Sequence, residues 1–278
     1  NQSNSPSARY GAKMIYDPIE GRAILFGGRT DRLVGLKYFD DLWAFDFQSQ
    51  SWERIETDTQ PAGRLSPGMV YDPDSRQIIL FGGHTKEDRV NDTWVYDITA
   101  NLWEEVTSEN SPPPRSDMGM VYDEANEVVI LFGGYCRDDV RELCDDTWVF
   151  DPQTNTWTEM NPVNHPPVMY GHSLTYDPVN QQSLLWGGHM AAVKNGVFSS
   201  MGYSNTLWGY SYPENDWEEI PSPRTQPSPR YWQMADFEQF SGCLFLFGGN
   251  GGNGFLADTW LFDTATKIWK KTSVKDAP

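Results

Sequence analysis

The stretch GMVYDPDSRQIILFGG at residues 68–83, followed by TWVYDITANLWEEV at 93–106, decides the fold. Gly68 to Tyr71 reads as a strand, Asp72 to Arg76 as a polar turn, and Gln77 to Phe81 as a second strand that stops at Gly82-Gly83. Asp72-Pro73-Asp74 is strong turn chemistry. Thr93 to Tyr96 gives a third strand, Asp97 to Asn101 a second turn, and Trp103 to Val106 a fourth strand. The expected unit is therefore one antiparallel sheet of four short strands. Helical periodicity is absent over any useful length, whereas β-branched and aromatic residues bounded by Pro, Gly, Asn and Asp recur throughout.

The same marks return five times. The Gly pairs are Gly27-Gly28, Gly82-Gly83, Gly133-Gly134, Gly187-Gly188 and Gly248-Gly249, and they lie 55, 51, 54 and 61 residues apart. Each is followed by Trp43, Trp94, Trp148, Trp208 or Trp260, and then by a second Trp nine residues on. An internal repeat of this period identifies a stacked-repeat architecture. The repeats fall at approximately 8–57, 63–108, 114–161, 168–221 and 229–273 of a single domain covering 1–278. One four-stranded sheet leaves its faces open, so five copies pack face to face, and radial packing gives an all-β propeller of five contiguous blades.

The Gly pair after an apolar strand, the aromatic third strand typified by Thr147-Trp148-Val149-Phe150-Asp151, and the fourth-strand Trp together resemble the Kelch repeat family. That resemblance implies a β-propeller, and it implies that the face carrying the inter-blade connections binds partner proteins. Kelch propellers of six or seven blades, with one blade shared between the chain ends, are common in the family. Here each unit runs from first to fourth strand without a split.

The spacings separate a framework from a variable surface. From Arg9, Arg64, Arg115, Met169 and Arg230 to the first Gly of the pair, the count is always 18. From that Gly to the third-strand Trp it is 16, 12, 15, 21 and 12. The length variation is thus held in the loop between the second and third strands, which shares an end of the sheet with the connection to the next repeat. Variable loops on a rigid scaffold are where binding usually resides. Asp41, Asp92, Asp146 and Asp258 stand two residues before the third-strand Trp in the four repeats that have the Arg. The fourth repeat has Met169 and Thr206 instead. The joint loss predicts that each Arg pairs with its Asp to tie the repeat together.

The residues immediately after each Gly pair are Arg29, His84, Tyr135, His189 and Asn250. With strand two placed near the axis, they are the candidate binding ring, joined by Arg137, Tyr203 and Trp232 and flanked by Tyr38, Arg89, Tyr170, His172 and Tyr231. Trp232 stands outside the Trp register and suits an interface anchor. The loop at 189–204 is expected to be free and carries Met190, Phe198, Met201 and Tyr203.

No phosphate loop, catalytic triad order, zinc spacing or nucleophile elbow is present, so no catalytic residue, metal or cofactor is expected. Tyr135-Cys136 are adjacent, the wrong arrangement for the Tyr-Cys link of a copper radical oxidase. The reading is a non-catalytic, monomeric scaffold binding a protein or peptide. The alternative is a mutarotase-like enzyme taking a small carbohydrate near Arg29, His84 and His189.

A net charge of −18 argues against nucleic acid and anionic membrane as partners. No run of 18 apolar residues occurs. The start at Asn1, without Met or a signal-like segment, reads as that of a trimmed chain or a processed product. Cys136 and Cys144 flank one polar loop and are near enough to pair, though nothing requires it, and Cys243 is expected to be buried. The sequon Asn91-Asp92-Thr93 has a structural explanation in its repeat position. Asp17, Asp72, Asp123 and Asp177 read as solvated turn residues.

Overall fold

The structure is a computed structural model that describes residues 5–31, 33, 35–137, 142–194, 197–222 and 225–272. The first sheet is β1 (Tyr10–Asp17), β2 (Arg22–Arg29), β3 (Leu42–Asp46) and β4 (Ser51–Ile55). After β5 (Arg64–Leu65), the second sheet uses β6 (Gly68–Asp72), β7 (Gln77–Phe81), β9 (Thr93–Asp97) and β10 (Leu102–Val106), with β8 (His84–Thr85) between them in sequence. The third is β11 (Gly119–Asp123), β12 (Val128–Arg137), β13 (Glu142–Asp151) and β14 (Thr156–Met160). Next come β15 (Met169–Tyr170), β16 (Ser173–Asp177), β17 (Gln182–Trp186), β18 (His189–Lys194), β19 (Val197–Tyr203), β20 (Leu207–Ser211) and β21 (Asp216–Ile220). The last sheet is β22 (Met234–Glu238), β23 (Cys243–Phe247), β24 (Thr259–Asp263) and β25 (Ile268–Thr272).

Among the described residues there are seven sheets rather than five. Five have four strands, each built from one contiguous repeat. The other two are small: β5 with β8, and β15 with β18 and β19. Both arise where the segment after a Gly pair folds back on the connection from the previous repeat. The stretch 189–204 is accordingly a hairpin rather than a free loop, bulged between Met190 and Ala191. In every four-stranded sheet the second strand lies between the first and third. It is thus an interior strand of each of these sheets.

The chain divides into two compact units, Asn1–Asp117 with Cys136–Asp138, and Met118–Tyr135 with Asp139–Pro278. In unit 1, Ile24, Phe26 and Leu42 of the first sheet share a buried cluster with Met69, Leu80, Tyr96 and Trp103 of the second. In unit 2, Ile130 and Phe132 pack with Leu174, Tyr210 and Trp217, and Leu184, Trp186 and Leu207 pack with Leu246, Phe262 and Trp269. Large aromatic side chains thus fill these sheet-to-sheet contacts with few residues.

The repeat marks form one hydrogen-bonded lattice. Arg64 donates to both carboxylate oxygens of Asp92 at 2.6 and 2.8 Å and to the Gly82 carbonyl at 2.9 Å. Arg230 does the same to Asp258 and Gly248, and Arg9 to Asp41 and Gly27. The third-strand Trp indole donates to the same Asp at 2.7–2.8 Å in all four Asp-bearing repeats. In the fourth repeat Met169 is buried, and the Trp208 indole instead meets the Thr206 hydroxyl, itself 2.7 Å from that of Ser204. A hydroxyl network has replaced the ion pair. Bonds from Arg9 and Trp43 outweigh burial and hold the Asp41 carboxyl below its usual range. The Arg230 hydrogen bonds bring Asp258 down to about 2.

Both residues of every Gly pair have positive φ, from 61° to 108°. A Cβ on Gly27 or Gly187 would lie 2.8 or 2.9 Å from the carbonyl oxygen of the next repeat's Arg64 or Arg230. The pair is thus kept small by the approach of the neighbouring backbone as well as by its own conformation.

Asp17, Asp72, Asp123 and Asp177 are buried, contrary to the solvated placement expected. In each, one carboxylate oxygen accepts the amides two and three residues on, closing the turn between the first two strands. Cys243 is half-buried rather than buried and is a free thiol, whereas Cys136 and Cys144 are disulfide-bonded.

Candidate functional site

The Gly-Gly end of each repeat is organised by one register. The residue after the repeated Arg or Met pairs with the residue after the Gly pair: Tyr10 with Arg29, Leu65 with His84, Tyr170 with His189, and Tyr231 with Asn250. In three repeats one backbone residue of the variable loop then links the Gly pair to the Arg of the next repeat. Phe39 donates to Gly28 and accepts from Arg64, Val90 donates to Gly83 and accepts from Arg115, and Ser204 donates to Gly188 and accepts from Arg230. The variable loops and the inter-repeat connections therefore share one end of their sheets, as the strand alternation requires.

In unit 1 that end carries an arginine, two phenols and an imidazole. Arg29 donates to the Tyr10 hydroxyl at 2.6 Å and to the Tyr38 hydroxyl at 3.0 Å, and the Tyr38 hydroxyl lies 3.3 Å from Nδ1 of His84. The Tyr38 and His84 rings stack at 6.0 Å. Burial opposes the charge on Arg29, but the two phenol partners outweigh it and raise its pKa further. Arg89 donates to the Ser116 hydroxyl. A cleft of about 590 Å³ adjoins this cluster, lined by Lys37, Tyr38, Thr85 and Lys86 among others.

In unit 2 the same end is aromatic. His189 lies 5.0 Å from Tyr170, 5.0 Å from Tyr203 and 5.4 Å from Tyr231, and Tyr203 and Tyr231 are stacked within 4° of parallel at 5.0 Å. Tyr135 meets the edge of Tyr170, and Trp232 lies 4.5 Å from Tyr231. The Tyr170 hydroxyl and the Ser200 hydroxyl each lie 2.8 Å from a different nitrogen of His189. Burial holds the His189 imidazole below its ordinary pKa and, with the neighbouring Tyr203, pushes the Tyr231 phenol up.

Two backbone facts single out Trp232. Counting two residues past the repeated Arg or Met gives Gly11, Ser66, Asp117, Gly171 and Trp232, and all five have φ between 48° and 66°. Small or polar residues suit this left-handed position, whereas a bulky aromatic there is a genuine outlier. Trp232 is also 54% exposed, its indole lying over Gly171, where an added Cβ would come within 2.8 Å of the ring.

The candidate ring thus falls into two sets: Arg29 and His84 in unit 1, and Tyr135, His189, Tyr203, Trp232 and Asn250 in unit 2. The side chains of Arg137 and Phe198 lie outside what is described. Asn250 has a framing role, pairing its backbone with Tyr231 in both directions and accepting the Gly252 amide on its side chain. His172 belongs to the framework, because its Nε2 accepts the Gly119 amide at 3.0 Å and its ring abuts Phe132. Residue reading missed Tyr10, Ser200 and Phe255. The constant count of 18 implies the Tyr10–Arg29 pairing, and Phe255, 87% exposed, bridges to Asn250 from a Gly-rich turn.

A repeat scaffold that keeps Trp and Gly-Gly in all five repeats and the Arg and Asp in four, while varying the chemistry at one sheet end, is a protein of the propeller-repeat class. Residues 1–168 and 124–278 each match the KLHDC2/KLHL20/DRC7 Kelch-repeats domain, and the chain belongs to the Kelch-repeat family. It is 27% identical over 284 residues to Acyl-CoA-binding domain-containing protein 5 of Arabidopsis thaliana, covering 98% of this chain and 40% of that protein. It is 29% identical over 273 residues to Adagio protein 3 of Arabidopsis thaliana, covering 94% and 42%, and 25% identical over 307 residues to Mei4-dependent protein 6 of Schizosaccharomyces pombe, covering 96% and 40%. The chain therefore spans about two fifths of the length of these relatives.

Proposed function

We propose that the five four-stranded sheets act as propeller blades and that the chain is a non-catalytic scaffold binding a protein or peptide through the loop end of unit 2. The observation that carries this reading is Trp232, a half-exposed indole held at a left-handed backbone position that glycine occupies in two other repeats. Strain of this kind persists where the surroundings enforce it, and it gathers at binding sites. The stacked Tyr203–Tyr231 pair supports the indole from behind, with Met201 and Phe255 adding exposed apolar surface on the same hairpin and turn. Rigid, partly exposed aromatic side chains with polar tips are what protein interfaces enrich at their centres.

A random-peptide display library panned on the immobilised chain tests this. Binders are expected whose retention falls at least tenfold on Trp232→Gly and less on Met201→Ser. Failure to enrich any peptide, or binders indifferent to both substitutions, would remove the unit 2 end as the site.

A further inference from the structure

The third-strand Trp of every repeat lies directly opposite a fourth-strand residue: Trp43 opposite Arg54, Trp94 opposite Glu105, Trp148 opposite Glu159, Trp208 opposite Glu219 and Trp260 opposite Lys271. Directly opposed residues share one face of a sheet and are close enough to touch. The fifth repeat shows what a cation does in that place. Nζ of Lys271 lies over the Trp260 indole, 5.7 Å from the ring centre, and 3.9 Å from a carboxylate oxygen of Asp258. Ring face and carboxylate both attract the ammonium.

In the fourth repeat Glu219 stands where the fifth has Lys271, so the indole faces a carboxylate instead of an ammonium. Trp208 is half-buried and Glu219 exposed, and with Glu218, Trp217 and the connecting residues Val163, Asn164 and His165 they line a cleft of about 480 Å³. The side-chain donors of this lining are engaged within the protein. The Trp208 indole donates to the Thr206 hydroxyl at 3.3 Å and the Trp217 indole to the Thr147 hydroxyl at 3.0 Å. The backbone and side-chain amides of Asn164 donate to the two oxygens of Asp216 at 2.7 and 2.8 Å. Nδ1 of His165 lies 3.0 Å from the Pro166 carbonyl, which can only accept, so Nδ1 carries the proton and Nε2 of the neutral ring is left an acceptor. The lining therefore offers a ligand an indole face, two carboxylates and an acceptor nitrogen, a set that selects a cationic donor over an anion.

We propose that this cleft binds a lysine side chain of a partner protein, its ammonium over the Trp208 indole beside Glu219 and its methylene stem against Val163. The occupant is argued from the fifth repeat, where the chain's own Lys271 fills the corresponding place, and from charge: a protein of net charge −18 draws basic protein surfaces toward it. Val163 is 89% exposed and supplies the apolar wall that a lysine stem covers while its head stays polar. All the lining residues belong to unit 2, and the site sits on its outer strands β20 and β21 with the connection before β15. It is a second site, and it holds whether or not Trp232 binds a partner.

The test is fluorine NMR of the 278-residue chain labelled with 5-fluorotryptophan, the Trp208 resonance being assigned by its loss in Trp208→Phe. Capped Gly-Lys-Gly, Gly-Gln-Gly and Gly-Glu-Gly peptides are titrated in turn at physiological ionic strength, where long-range attraction to the acidic chain is screened. The lysine peptide is expected to shift the Trp208 resonance saturably and the other two to leave it in place. Glu219→Lys copies the fifth repeat, placing an internal ammonium on the indole, and should weaken the lysine peptide about tenfold while the remaining Trp resonances stay where they were. A Trp208 resonance indifferent to the lysine peptide overturns the proposal. So does an equal response to the glutamine or glutamate peptide, or undiminished binding by Glu219→Lys. A shift spread evenly over the Trp resonances also overturns it, because net charge alone would then account for the attraction.

Discussion

In unit 1 the residues after the Gly pairs are Arg29 and His84, linked through one phenol, Tyr38. In unit 2 the same register position holds His189, set among Tyr170, Tyr203 and Tyr231. The backbone that presents them is alike in both units: a Gly pair at positive φ and a two-residue pairing across the connection, over an Arg–Asp–Trp lattice beneath Arg29 and His84 and its hydroxyl replacement beneath His189. One framework thus supports an arginine held by two phenols in one place and a histidine among aromatic rings in another. The difference shows that the chemistry of the end is set by a few side chains that the fold leaves unconstrained. It also shows which residues are not free to vary.

The strongest way to break this separation is to attack the lattice in each unit. Arg64→Ala and Arg230→Ala each leave a half-buried carboxylate without its bidentate partner, and each is expected to lower unfolding free energy by about 3–5 kcal/mol in urea titrations. The fourth repeat supplies its own rescue. Arg230→Met combined with Leu256→Ser and Asp258→Thr copies the Met169, Ser204 and Thr206 arrangement and is expected to recover more than half of that loss. If this variant is no more stable than Arg230→Ala, the hydroxyl network does not substitute for the ion pair.

Acid should weaken the same lattice. The folded-state pKa of Asp258 is depressed to about 2, and that of Asp41 is also lowered, so their contribution is complete above the ordinary carboxylate range. It is lost as pH falls from about 4 through about 2. Thermal midpoints measured across this window should fall, and the fall should shrink in the Arg230→Met, Leu256→Ser, Asp258→Thr variant.

A smaller effect sharpens the difference at the ends. Burial favours neutral His189, so its contribution to unit 2 is present above the ordinary imidazole pKa and is lost as pH falls through the lowered folded value. Amide protection of the β18–β19 hairpin, each exchange rate taken relative to the intrinsic rate at that pH, should fall on that acidification, and His189→Gln should remove the response. Protection that stays constant with pH would detach His189 from the order of the hairpin.

Much of the framework could be read from the chain because its signals are local. An apolar strand ending in Gly-Gly, an Asp-led turn and two Trp nine apart each report a short-range geometry, and the absence of Arg9-type and Asp41-type residues together in one repeat reported a pairing between them. What stayed hidden depends on neighbours. Asp17 reads as a surface turn residue until Arg22 and Arg76 are seen against it, and its burial is a property of packing. The 189–204 hairpin needed the pairing partner Met169–Tyr170 to be recognised. The exposed Phe245 and Phe247 have the same sequence pattern as buried Leu184 and Trp186. Trp232 was visible as a departure from the Trp register, but its positive φ was not.

That φ makes the central claim testable without any partner. If Trp232 is held in place for binding, Trp232→Gly relieves a left-handed conformation worth about 1–2 kcal/mol and forfeits a ring contact with Tyr231 worth about 0.5–1.5 kcal/mol. Urea unfolding of the variant should therefore give a free energy within about 1 kcal/mol of the native chain. A loss of 3 kcal/mol or more, on the order of a large core truncation, would assign Trp232 to the framework and contradict the account.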